Sequence, residues 1–179
     1  MPYAVTHILV PILIAAIFRD VVAKKKFSLH YVLLAGLGGV LPDIDIPISM
    51  LLNTFGIINW NLHKTFTHSI FFPLIVFALF LIFKPFKLNA KVCNIGKHKL
   101  NLSYIFLAIA FGILIHLILD SLFGSNSFLL YPFSNYDFGM DLFSYFSYSW
   151  NSLAALLDGI LLVIWILYLE LKHKISDFI

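Results

Sequence analysis

Residues 102–123 read LSYIFLAIAFGILIHLILDSLF. The stretch holds no Lys, Arg or Glu, and a helix rising about 1.5 Å per residue over this length spans a hydrocarbon core about 30 Å thick. Yet His116 and Asp120 fall in its last third, four residues apart and therefore on one helix face. Ionisable groups at such a depth are costly unless paired or bound to an ion, so they mark function by default. The segment points to a membrane helix with chemistry built into it.

The rest of the chain has the same character. Of 179 residues, 61% are hydrophobic and 12% charged, with a mean hydropathy of +0.95. A soluble domain is about half apolar and about a quarter charged, so the composition excludes that class. We expect an all-α polytopic membrane helix bundle forming one domain over residues 1–179. Five spans are predicted: Pro2–Phe18, Phe27–Leu41, a third ending at Phe83, Leu102–Phe123 and Ser152–Leu169. The first lacks a positive leader and a small-residue cleavage site and reads as a retained helix. Gly36, Gly38 and Gly39 allow close helix contact in the second. Pro42 and Pro47 bracket Asp43-Ile44-Asp45, where the helix is expected to end or break. Ile48–Trp60 is too short to cross and return, and is expected to be interfacial or re-entrant. Thr65 or Thr67 is a suitable N-cap for the third span. The Ser-, Asn- and aromatic-rich segment Gly124–Trp150 suits the headgroup level.

Charge gives the threading. The net charge of +3 comes from lysines clustered beside apolar runs, which act as topology signals; no nucleic-acid partner is expected. Five alternating spans put Arg19, Lys24–Lys26, Lys84–Lys99 and Lys172–Lys174 on one side, eleven of the twelve basic residues, with Lys64 alone opposite. By the positive-inside rule the N-terminus is outside and the C-terminus cytoplasmic. His30, His98 and His173 fall on the lysine side and are expected to be solvated. Asp137 and Asp141 read as exposed loop residues. Cys93 has no partner for an intrachain disulfide.

The same threading gathers His7, Asp43, Asp45, His63, His68, His116 and Asp120 on the side away from the lysines. They belong to four separate spans, and counted from the cytoplasmic ends His7 and Asp158 lie roughly 18 Å deep and His116 roughly 21 Å. Imidazole and carboxylate together suit zinc, manganese or iron, and these donors exceed what one tetrahedral ion needs. A pair of divalent ions, most readily two zinc ions, is the expected count. Such a centre activates water and clamps the oxygens of a phosphoester. Asp158 is read as a group orienting an imidazole from behind. The bland alternatives are a structural interhelical pair for His116 with Asp120 and a helix-terminating turn for Asp43 and Asp45.

Taken in order, Thr6-His7, Leu41-Pro42-Asp43-Ile44-Asp45, His63-x-Thr-x-Thr-His68-Ser and His116-x-x-x-Asp120-Ser, with Tyr131-Pro132-Phe133 beyond, resemble the membrane-bound metal-dependent hydrolase family. These are the YdjM-like, LexA-regulated inner-membrane hydrolases. The resemblance covers position 6 to about 133 and implies a metal-dependent hydrolase in a prokaryotic cell membrane. Lys64 stands where that pattern leads one to expect arginine. A more distant similarity is to zinc-dependent phospholipase C and secreted single-strand nucleases, which use an ordered His, Asp, His, His-x-x-x-Asp set; their later His and Glu ligands have no match here.

The expected function is therefore a membrane-embedded hydrolase cleaving a lipid or small-molecule phosphoester, with the site facing outward. Asp43, His116 and Asp120 form the catalytic centre, His7, Asp45, His63 and His68 complete the metal ligands, and Lys64 steers the substrate anion. The alternative is a metal-ion transporter, or a metal-binding membrane protein without catalysis. Transport needs a polar path towards the cytoplasm, whereas residues below His68 and His116 are mainly apolar.

Overall fold

Long apolar runs in a lipid solvent satisfy their backbone groups only as helices, and the structure, a computed structural model describing residues 3–24, 26–57, 63–86, 89–90, 100–124 and 127–174, is an all-α bundle. Its helices are α1 (Ala4–Ile17), α2 (Leu29–Val40), α3 (Asp45–Thr54), α4 (Phe71–Phe83), α5 (Leu102–Phe123) and α6 (Trp150–His173). Two short antiparallel strands, β1 (Asn89–Ala90) and β2 (Leu100–Asn101), pair before α5. Lys25, Trp60, Lys87, Lys91, Cys93, Lys97, His98 and Lys99 lie outside the described residues.

Among the described residues, four helical segments are long and apolar enough to cross a membrane: Ala4–Val22, Leu29–Thr54, Leu102–Phe123 and Trp150–His173. The expected third span is the shorter α4, 13 residues and so about 20 Å long. It is short because its approach is not helical. Residues Phe66–His68 form a 3-10 turn and Ser69 is extended, with the Ser69 hydroxyl donating to the Phe66 carbonyl. Hydroxyl groups that bond locally in this way compete with helix formation. The expected cap is also absent: Ile70 occupies the N-cap of α4 without a side-chain bond, and Thr67 is engaged elsewhere.

The helix expected to end or break at Pro42 ends at Val40. A 3-10 turn, Leu41–Ile44, joins α2 to α3. Pro42 occupies its first turn and Pro47 the first turn of α3, where a missing N–H costs nothing. Asp43 thereby lies in the 3-10 turn and Asp45 opens α3. The apolar run after Pro47 extends this segment to Thr54 before the undescribed residues 58–62.

Glycine sets how closely α1, α2 and α5 approach. A Cβ on Gly39 would lie 2.0 Å from the His7 carbonyl oxygen, and one on Gly112 would lie 2.0 Å from that of Ala35. Without those side chains the three backbones come into contact, the small-residue packing that bilayers favour. Val76, Ala110 and Ile113 fill the α4–α5 seam, and Ile12, Ala16 and Val32 the α1–α2 seam.

Helix α6 is the outlier, with Ala154 its only buried residue. Two polar ties hold it, one to α1 and one to the π-helical turn Phe18–Val22 that follows α1. Near one end Asp158 Oδ1 accepts from the Thr6 N–H at 2.9 Å and from the Thr6 hydroxyl. At the other, Asp20 accepts from Tyr168 Oη at 2.8 Å and lies 2.7 Å from Arg19 Nη1 and 3.0 Å from His173 Nε2. His173 is thus paired with a buried carboxylate and is not simply solvated as expected, whereas His30 is exposed beside Ser28.

Candidate metal centre

Four donor atoms from three separate segments meet where α1, α2 and α5 pack together. They are Asp43 Oδ1 from the 3-10 turn after α2, His68 Nε2 from the turn before α4, and His116 Nε2 and Asp120 Oδ2 from α5. The two imidazole nitrogens are 3.2 Å apart. His68 Nε2 lies 3.4 Å from Asp43 Oδ1 and 3.6 Å from Asp120 Oδ2, and His116 Nε2 lies 3.7 and 3.5 Å from the same two oxygens. Ligands about 2.0–2.1 Å from a tetrahedral ion are about 3.4 Å from one another. The donors of His68, His116 and Asp120 are thus spaced like neighbouring ligands of one ion, and Asp43 Oδ1 keeps the same spacing from both imidazoles.

The polarity of the site fits a cation as well. Asp43 Oδ1 and both Asp120 oxygens are buried without a hydrogen bond, and each such group costs about 1–3 kcal/mol if left so. His116 is fully buried, and its Nδ1 lies 2.7 Å from the Gly39 carbonyl oxygen. A carbonyl only accepts, so Nδ1 carries the proton and Nε2 turns a lone pair to the centre. This is how ligating imidazoles are held.

Asp45 stands behind His68. Its Oδ2 accepts from the Thr67 hydroxyl at 2.6 Å and lies 3.3 Å from His68 Nδ1, while Oδ1 lies 3.0 Å from His63 Nδ1. Both carboxylate oxygens are therefore occupied on the far side of the His68 ring. Burial pushes the His68 pKa down, but the Asp43 and Asp45 carboxylates outweigh it and hold the imidazole proton up to about 9.

His7 lies on the other side. Its ring stacks on His116 with centroids 4.0 Å apart, its Nε2 is 3.3 Å from Asp120 Oδ1, and neither ring nitrogen has a hydrogen bond. Donors of His7, Asp43 and His116 lie within 4.8 Å of one another, as do those of Asp43, His63 and His68. The sequence-predicted ligands thus converge, with Asp45 set back behind His68. Asp158 reaches Thr6 and bonds no imidazole among the described residues. Because Thr6 lies in the uncapped first turn of α1, Asp158 satisfies an otherwise open backbone N–H and steadies the residue next to His7.

Three contributors escape sequence reasoning. Thr67 was legible as a helix cap and is instead a donor to Asp45. The Gly39 carbonyl carries no side-chain signal, and only the glycine run hinted that a backbone approaches there. Ser127, in the loop after α5, joins Lys64, His68, Leu117, Asp120 and Leu129 in lining a cleft beside the donors. Lys64 itself has a left-handed backbone, φ 62°, a conformation that costs a non-glycine residue about 1 kcal/mol or more. Asp137 is exposed, as expected, and accepts from the Ser127 and Gly139 N–H groups at 2.8 Å each.

The family of YdjM inner membrane proteins matches residues 1–175, nearly the whole chain. The chain belongs to that family. Membership agrees with the apolar helices in making this an inner-membrane-type protein. No curated protein and no solved structure matches the chain, and the expected similarity to phospholipase C and single-strand nucleases is not shown.

Proposed function

We propose that this member of the YdjM family is a membrane-embedded, metal-dependent hydrolase that cleaves a phosphoester. The observation that carries the reading is the buried trio of His68, His116 and Asp120, spaced as ligands of one ion, with the half-buried Asp43 beside both imidazoles and unsatisfied oxygens on both carboxylates. Asp120 presents its second oxygen to His7, which suits a carboxylate shared between two ions. A divalent ion supplies Lewis acidity and water activated at neutral pH. The chain's own part is to fix the donors: Gly39 sets the tautomer of His116, and Asp45 with Thr67 orients His68. Lys64 places a positive charge on the cleft wall to draw in an anion.

The Asp43 side chain is 20% exposed against 4% or less for His68, His116 and Asp120, so the centre opens past Asp43. With the basic residues gathered at the other ends of the spans, we place that opening on the extracytoplasmic side, within reach of lipid or envelope phosphoesters. The test is metal analysis of purified protein coupled to hydrolysis of phospholipids and chromogenic phosphoesters, zinc, manganese and iron being supplied in turn. Wild-type protein is expected to hold metal and turn over a phosphoester, and H116A and D43A to lose both. Hydrolysis that survives both substitutions refutes the assignment.

A further inference from the structure

We infer that the Ser127 hydroxyl is a substrate-binding group, donating to a phosphoryl oxygen held in the cleft beside the metal ligands. This rests on the phosphoesterase reading above. Ser127 is 6% exposed, and its Oγ is buried with no hydrogen-bond partner, although a buried hydroxyl ordinarily finds one. Its main chain, by contrast, is fully engaged. The N–H donates to Asp137 at 2.8 Å, and the carbonyl accepts from Leu129 N–H at 3.1 Å and Phe138 N–H at 3.0 Å. The loop therefore holds this residue rigidly, with only the hydroxyl left to bond.

Ser127 belongs to the wall of the cleft that Lys64, His68 and Asp120 also line. A donor hydroxyl, an ammonium and a cluster built for a cation suit a tetrahedral anion, whose oxygens are acceptors only. The cavity, about 10 Å3, has room for about one water-sized atom, far below the roughly 300–1,000 Å3 of a site enclosing a drug-sized ligand. It admits a single phosphoryl oxygen and leaves the rest of the substrate outside, beside Leu117 and Leu129. The ligand chemistry is thus a phosphate group, free or at the head of a lipid.

The test uses full-length, metal-loaded protein in detergent and two probes, inorganic phosphate and a short-chain phosphatidic acid, with binding read by calorimetry. S127A is expected to bind both on the order of tenfold more weakly, the loss typical of one hydrogen bond to a charged group. Its metal content and Tm should be unchanged, and S127T should restore binding. On a chromogenic phosphoester the loss should fall chiefly on KM. Tighter binding of phosphatidic acid than of phosphate identifies the lipid as the source, and equal binding identifies the bare phosphoryl group. Unchanged phosphate affinity in S127A, or loss of metal from it, overturns the inference. Wild-type protein that binds phosphate through Ser127 but hydrolyses nothing leaves the binding site standing and removes the hydrolase reading.

Discussion

Replacing Gly39 with alanine tests whether the packing of helix backbones holds the metal ligands in place. The added Cβ would meet the His7 carbonyl oxygen at 2.0 Å and the Pro11 ring at 2.8 Å. Restoring an ordinary contact of 3.4 Å requires α1 and α2 to part by about 1.4 Å, the difference between those two distances. Metal–ligand bonds tolerate about 0.2 Å, and Gly39 also anchors His116 through its carbonyl, so the shift cannot be absorbed locally. Alanine is worth about 0.8–1.0 kcal/mol over glycine inside a helix, whereas overpacking costs typically 1–3 kcal/mol and sometimes more. The expected result is a Tm lower by a few degrees and at least a tenfold loss in metal affinity, measured by thermal unfolding in detergent and by metal titration. Gly159 in α6 is the internal comparison, because nothing lies within 4 Å of a Cβ added there; G159A should keep full metal affinity and gain slightly in Tm. If G39A matches wild type in both measurements, backbone contact at this seam is not what positions His7 and His116.

Two further outcomes follow from the same geometry. Asp45→Asn keeps an acceptor for Thr67 but removes the charge behind His68, so metal affinity should fall about 10- to 100-fold without vanishing, as for other groups that support a ligand; abolition of binding on titration would make Asp45 a ligand in its own right. In the metal-free protein the raised His68 pKa means that its protonation contributes stability in full below about 6.5, which is lost as pH rises through about 9. A metal ion must displace that proton, so apparent affinity should climb up to about tenfold per pH unit between those limits; pH-independent metal titrations across that window would contradict the pairing of His68 with Asp43 and Asp45.

What was legible beforehand divides along physical lines. Leu102–Phe123 was readable to the residue because its boundaries coincide with an abrupt change in polarity, and Asn101 caps it. The convergence of His7, Asp43, His68 and His116 was readable because membrane threading restricts each span to two directions. The route from Leu41 to Phe71 was not. Pro42 and Pro47 promised that α2 would end or break, and it ends at Val40, but the chain resumes as α3 after a single 3-10 turn because a proline is tolerated in a first turn. Thr67 promised a cap, but a nearby carboxylate outcompeted the α4 N-terminus for its hydroxyl. Asp158 showed that a charged group inside a span can serve a backbone N–H, an acceptor role that spacing alone does not distinguish from service to an imidazole. Ser127 lay beyond reach, since its isolation emerges only when the loop after α5 folds back.

The make-up of the central quartet sets an electrostatic rule of its own. Two carboxylates and two neutral imidazoles sum to a formal charge of −2, so under the proposed metal binding a first, doubly charged ion would leave these five partners neutral within an apolar bundle. A singly charged ion would strand a negative charge there and a triply charged one a positive charge, each penalised by the surroundings. Valence would then be selected at that position before any preference among zinc, manganese and iron came into play.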